Sequence, residues 1–242
     1  VHTRRWVMFD GNSMNSELRH QYLKTMGVQQ WVERTCQAVG VVASTPPEQV
    51  SADSVSEWHI LERQVSVCTR CALHETRTQT VFGSGNQKAE WMIIGEAPGA
   101  DEDRQGEPFV GRAGRLLNEI LFAAGYRRDD VFIANILKCR PPANRDPSAD
   151  EIGCCQPYLQ QQIELVQPKL LLAVGRIAAH GLLQTTLPLG RLRGVVHYFG
   201  EKEIPLIVTY HPAYLLRSPL EKRKVWQDLQ LAQTVYRQQL AG

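Results

Sequence analysis

The chain has 242 residues, 43% of them hydrophobic, and a formal charge of +2 at neutral pH. That length and apolar share can bury one large core with appendages, and no internal repeat or low-complexity tract breaks it up. The small net charge neither requires nor forbids a nucleic acid as partner, and no stretch approaches the ~20 consecutive apolar residues of a membrane span.

Residues 1–13 precede Met14 and are read as a scar or upstream translation, outside the fold; their apolar run, Trp6 to Phe9, is far shorter than the core of a secretory signal. Leu18, Tyr22, Leu23 and Met26 recur at helical spacing, and a weaker helical pattern covers Trp31 to Val39. The stretch 41–56, with two prolines and many small polar residues, reads as a linker. The organisation expected is an N-terminal accessory segment with linker over 14–56 and a catalytic domain over 57–242. Ser54 and Glu57 have capping-box spacing ahead of Trp58, Ile60, Leu61 and Val65, so a helix should lead the chain to Cys68.

Four apolar runs follow as strands: Trp91 to Ile94, Val131 to Ile136, Leu170 to Val174, and Leu206 to Val208. Helical periodicity separates them over Ala113 to Ala124, Ala149 to Val166, and Arg176 to Leu183. Strand, helix, strand predicts an α/β fold with a parallel sheet covered on both faces. Ligands of such sheets sit beyond the carboxyl ends of the strands. That places attention on Gly95 to Gly99, Asn135 to Cys139, Gly175-Arg176, and His211-Pro212-Ala213.

Of the six cysteines, Cys68 and Cys71 have the two-residue spacing that lets thiolates converge on a metal centre. Cys139 follows the second strand and Cys155 lies sixteen positions later, giving four candidate ligands; the adjacent Cys154 could serve in place of Cys155. Spacing does not separate zinc from an iron–sulfur cluster, and a redox pair plus unrelated buried thiols is the plainer alternative. Cys36 is read as a free thiol. With no secretory signal and no disulfide framework, the expected compartment is the reducing cytoplasm.

The strand ends also carry a carboxylate (Glu96, in a Gly-Glu-Ala-Pro-Gly turn), an amide (Asn135) and an imidazole (His211), with Phe109 in a glycine-flanked loop between them. A carboxylate can orient water, an amide offers a donor and an acceptor, an aromatic ring stacks on a planar ligand, and an imidazole can meet growing negative charge. Taken singly, each has an ordinary structural role as readily as a chemical one. Leu215-Leu216-Arg217 combines apolar wedges with a cation, the composition that enters a base stack and touches phosphate. Gly83-Ser84-Gly85 is too short for a phosphate loop, so no nucleotide cofactor is expected.

In order along the chain, CTRC, RTQTVFGSGN, GEAPG, GEPFVGRAGRLLNEIL, NILKCRPPANRDP, the later cysteine, LLLAVG and HPAYLLR resemble the type 4 uracil-DNA glycosylases from about Val67 to Leu231. The resemblance implies a three-layer α/β/α sandwich around a four-stranded parallel sheet. It implies a structural [4Fe-4S] cluster on Cys68, Cys71, Cys139 and Cys155, the family interval selecting Cys155 over Cys154. Glu96, with the backbone of Ala97 and Pro98, would line the uracil pocket near the attacking water; Phe109 would stack on the base, Asn135 read its edge, and His211 face O2. The implied reaction is hydrolysis of the N-glycosidic bond of uracil flipped from single- or double-stranded DNA, by a soluble monomer, leaving an abasic site.

Ala97 stands where some members of the wider superfamily carry aspartate, which shifts weight to Glu96 and His211. The chain lacks the GEQPG turn and basic insertion of relatives that trap uracil-DNA covalently, so turnover is expected. Two other classes stand beside this reading. One is a non-catalytic iron–sulfur DNA-binding or replication-accessory module, motivated by the N-terminal segment and by Arg140 and Arg145. The other is a zinc-dependent nucleotide hydrolase, which lacks an obvious His/Glu triad.

Overall fold

The computed structural model describes residues 52–241, with side chains from Glu57 to Leu240. The segment read as scar, the two helical patterns before residue 40, Cys36 and most of the linker lie outside the described residues. The first described helix, α1 (Ala52–Ser66), leads the chain to Cys68 as expected, and its bounds take in both Ser54 and Glu57.

All four expected strands form, at β2 (Trp91–Gly95), β3 (Phe132–Asn135), β4 (Leu170–Val174) and β6 (Ile204–Thr209), and they pair in parallel in the order β3-β2-β4-β6. Two short strands extend this core into a mixed sheet of six: β1 (Ser84–Gly85) runs antiparallel to β3, and β5 (Val196–Phe199) antiparallel to β6. Both edges are short, which limits the unpaired backbone they offer to other chains.

The helices are α2 (Ala100–Gln105), α3 (Arg112–Ala123), α4 (Ala149–Val166), α5 (Arg176–Leu183), α6 (Leu189–Leu192), α7 (Pro212–Arg217) and α8 (Lys222–Ala241). Successive side chains of a strand point to opposite faces, and the core divides accordingly. Met92, Ile94, Leu171 and Ala173 pack with α1, α4 and α5. Trp91, Ile93, Leu170, Leu172 and Val174 pack with α3, α7 and α8. The result is a three-layer α/β/α sandwich, and the continuous apolar runs of β2 and β4 reflect burial on both faces. None of the described helices is long and apolar enough to cross a membrane.

Two buried polar networks brace the sandwich. Asp228 on α8 accepts from the Thr209 hydroxyl at 2.7 Å and from the Arg193 side chain at 2.7–2.9 Å. Lys138 Nζ donates to the Asn135 carbonyl at 2.9 Å and to Gln162 Oε1 at 2.5 Å, while Gln162 Nε2 donates to the Phe82 carbonyl. A buried cation survives only with such partners. Burial draws Lys138 down to about 7, against the pull of the neighbouring Cys155 and Cys139 thiols.

Candidate active site

Parallel register sets Gly95 beside Asn135 and Val174 beside Thr209, so the carboxyl ends of the strands share one rim. Glu96, Ala97, Pro98, Phe109, Asn135 and His211 line a single cleft of about 520 Å³ there, joined by Arg217. The structure thus brings together every residue that the sequence singled out for base recognition. Of the three residues read as DNA-contacting, Leu215 is fully buried in the core, whereas Leu216 is 40% exposed and Arg217 is exposed.

Close packing at the cleft floor explains two glycines. A Cβ on Gly95 would stand 2.4 Å from Asn135 Oδ1 and 2.6 Å from the Phe109 ring, so the amide and the ring can meet only over a residue without a side chain. Gly114 on α3 gives the same relief to the Phe109 carbonyl, which a Cβ would approach to 1.7 Å. Phe109 itself has φ +53°, a left-handed conformation costly for a bulky residue unless its surroundings impose it. Its ring lies 5.5 Å from the His211 ring, tilted by 31°.

Asn135 is 2% exposed, and its Oδ1 has no hydrogen-bond partner among the described residues. Buried polar atoms are nearly always paired, so an orphan acceptor facing a cleft marks a place for a donor on a ligand. His211 caps α7, and its Nδ1 accepts from the Ala213 N–H at 3.1 Å, which leaves the proton of the neutral ring on Nε2. Burial pushes the imidazole down to about 4, helped by the Arg217 charge and opposed by Glu102. At neutral pH it is therefore an uncharged Nε2–H donor. Glu96 is shifted the other way: burial raises its carboxyl above the ordinary range, Asp146 adds to this, and Arg176 opposes it. Asp146 and Arg176 are themselves paired at 2.6 Å.

Glu102 and Arg128 were not anticipated. Glu102 also lines the cleft; its carboxylate accepts from the N–H groups of Gly99, Val110 and Gly111 at 2.9–3.1 Å, tying the Glu96 turn to the Phe109 loop. Its position three residues after Gly99, where α2 begins, is the one sequence signal that could have found it. Arg128 donates to the Pro108 and Phe109 carbonyls of the same loop, and nothing local in the sequence marks it.

The cysteines occupy a second locus. Cys139 and Cys155 are buried and Cys68 and Cys71 half-buried against the same core. Burial raises the Cys139 thiol, which accepts from Arg77 at 3.0 Å and feels Cys71 and Cys68. Burial likewise pushes Cys155 up to about 11, with the Lys138 amide opposing and Cys139 and Cys71 adding to the shift. Cys154 instead donates to the Arg70 carbonyl at 3.2 Å. No three His, Cys, Asp or Glu side chains among the described residues converge closely enough to hold a single metal ion.

Comparison with known proteins bears on both loci. The family model described as the uracil DNA glycosylase superfamily matches residues 82–230. A type-4 uracil-DNA glycosylase of Archaeoglobus fulgidus is 46% identical over 165 residues, covering 65% of this chain and 82% of that protein. A type-4 enzyme of Pyrobaculum aerophilum is 43% identical over 175 residues, or 70% of this chain and 89% of the relative. One of Thermotoga maritima is 40% identical over 179 residues, covering 72% and 92% respectively.

Proposed function

The chain belongs to the uracil-DNA glycosylase superfamily, as a member of its type-4 family, and from that premise we propose how its cleft hydrolyses the N-glycosidic bond of a uracil flipped out of DNA. The observation that carries the proposal is the pairing of an orphan buried amide acceptor with a neutral imidazole donor beside one aromatic ring.

Breaking the bond leaves positive charge on the sugar and negative charge on the departing base, and an enzyme gains rate from groups that meet those charges as they develop. Phe109 stacks on the extruded ring. Asn135 Oδ1 takes the uracil N3–H and its amide nitrogen donates to O4. His211 Nε2–H donates to O2, where charge accumulates; an uncharged donor already in place stabilises it without a proton moving first. Glu96 in its ionised form orients the attacking water and faces the cationic sugar. On the rim, Leu216 and Arg217 are exposed to meet the gap and the phosphates, with Leu215 as their buried footing.

The second locus fits an iron–sulfur cluster held by Cys68, Cys71, Cys139 and Cys155. Four thiols from three chain segments share one neighbourhood, and four cysteine thiolates are the donor set that such a cluster would require. Burial holds the Cys139 and Cys155 thiols protonated when free, and a metal centre would supply the charge that keeps its thiolate ligands ionised. Cys154 is already engaged elsewhere, which supports Cys155 as fourth ligand. Cys68 and Cys71 before β1, Cys139 after β3 and Cys155 in the second turn of α4 would be the residues that hold the cluster, which would link these segments into one unit.

The test is incubation of the brown, iron-loaded protein with a uracil-containing oligonucleotide, followed by alkaline cleavage at abasic sites. Release of uracil is expected; DNA binding without base release would overturn the reading.

A further inference from the structure

Phe109 is the stacking residue of the function proposed above, and its backbone is in a conformation it would not adopt unaided. Both flanking peptide units are gripped. On one side Glu102 accepts from the N–H groups of Val110 and Gly111. The Arg128 guanidinium donates to the carbonyls of Pro108 and Phe109, one in each flanking peptide unit, the latter at 3.3 Å. The same guanidinium reaches Ser84 Oγ on β1 at 3.1 Å and Asn118 Oδ1 on α3 at 3.3 Å.

Arg128 has no carboxylate within ion-pair distance among the described residues. Its partly buried charge is therefore satisfied by carbonyl, hydroxyl and amide oxygens, two of them on the loop that carries Phe109. A rigid fork with five donors can bridge four acceptors from three segments, and a lysine cannot. Arg128 lines a surface hollow with Ser84 and Glu107, and it does not line the cleft. It meets the loop through main-chain carbonyls and takes no part in lining the pocket proposed for the base.

We propose that Arg128 is a positioning residue for base capture: by clamping the Pro108 and Phe109 carbonyls to β1 and α3, it fixes the ring against which uracil stacks. The inference rests on the reading of Phe109 as the stacking residue.

A double-mutant cycle tests it. Single-turnover uracil excision is measured for the wild type, Arg128→Ala, Phe109→Ala and the double variant, with affinity for an oligonucleotide carrying a stable abasic analogue measured in parallel. Arg128→Ala is expected to slow excision about 10- to 100-fold, the scale of a loss of alignment, while abasic-site affinity stays within about twofold. If Arg128 acts through Phe109, the double variant is no slower than Phe109→Ala alone. Arg128→Lys, which keeps the charge and loses the fork, retains most of the defect; it replaces Arg128→Ala in the cycle should that variant not fold. Millimolar guanidinium is expected to restore part of the Arg128→Ala rate and none of the double variant's. Additive losses across the cycle, or full activity in Arg128→Lys, would overturn the proposal. A wild-type protein that releases no uracil would instead remove the functional reading beneath it.

Discussion

Gly114→Ala sets helix propensity against the geometry of the cleft. Gly114 lies in the first turn of α3, where replacing glycine by alanine ordinarily stabilises a helix by about 1 kcal/mol. Here the added Cβ would lie 1.7 Å from the Phe109 carbonyl oxygen, half of the 3.4 Å at which ordinary contact begins, and 2.1 Å from the carbonyl carbon. Both atoms are backbone, so no rotamer change relieves the clash; the helix or the Phe109 loop must move. Overpacking of this kind costs about 1–3 kcal/mol, which exceeds the helical gain by roughly 1 kcal/mol and should lower the thermal midpoint by about 2–4 °C. The kinetic effect is sharper. Displacing an aligned group by about 1 Å costs about 100-fold in rate, so single-turnover excision should fall by that order. Calorimetry and quenched time courses on one uracil-containing oligonucleotide measure both quantities. An alanine variant with a raised midpoint and an undiminished rate would refute the reasoning.

Asn135→Ala and His211→Ala should each slow excision about 100- to 1000-fold, as loss of one preorganised donor does, with thermal unfolding little changed; an unfolded variant would point to a structural role. On the proposed reading, the acid limb of the pH profile should belong to Glu96, whose raised carboxyl is protonated before the imidazole at about 4 is reached. The residual rate of Glu96→Gln should lose that limb, and a limb unchanged in this variant would reassign it. The imidazole's folded value lies below its unfolded one, so its contribution to stability is whole above the ordinary histidine range and is lost as pH falls towards 4, by about 3 kcal/mol. Urea titrations of wild type against His211→Asn across that window would show it. Cys139→Ala should lose bound iron and the visible chromophore together with most of the domain's stability; a stable, coloured, active variant would contradict the ligand assignment.

Legibility in the sequence followed the strength of the local signal. The four central strands and the helices α3, α4 and α5 are long, apolar and periodic, and their bounds match the sequence pattern within about two residues. The edge strands escaped because β1 is two residues without an apolar side chain and β5 is half-exposed. Glu96, Asn135 and His211 were legible because a parallel sheet collects whatever follows its strands. Arg128 was not, because the two acceptors that tie it to the Phe109 loop are main-chain oxygens distant in sequence, which leave no trace in residue identity. Leu215 shows the reverse limit: a leucine in a loop motif reads as a wedge, yet the 3.6-residue repeat of a short helix turns it inward and leaves Leu216 outside.

The lone acceptor on Asn135 has a consequence for fidelity. On the proposed reading, cytosine would bring a ring nitrogen lone pair to Oδ1 and an amino group to the amide N–H₂, so acceptor would meet acceptor and donor would meet donor. Each mismatch forfeits about 1–3 kcal/mol, and a rigid floor of Gly95 against the Phe109 ring gives the amide no room to move aside. A single oxygen, left unsatisfied while the enzyme searches, would thus separate the damaged base from its abundant parent before any bond is strained.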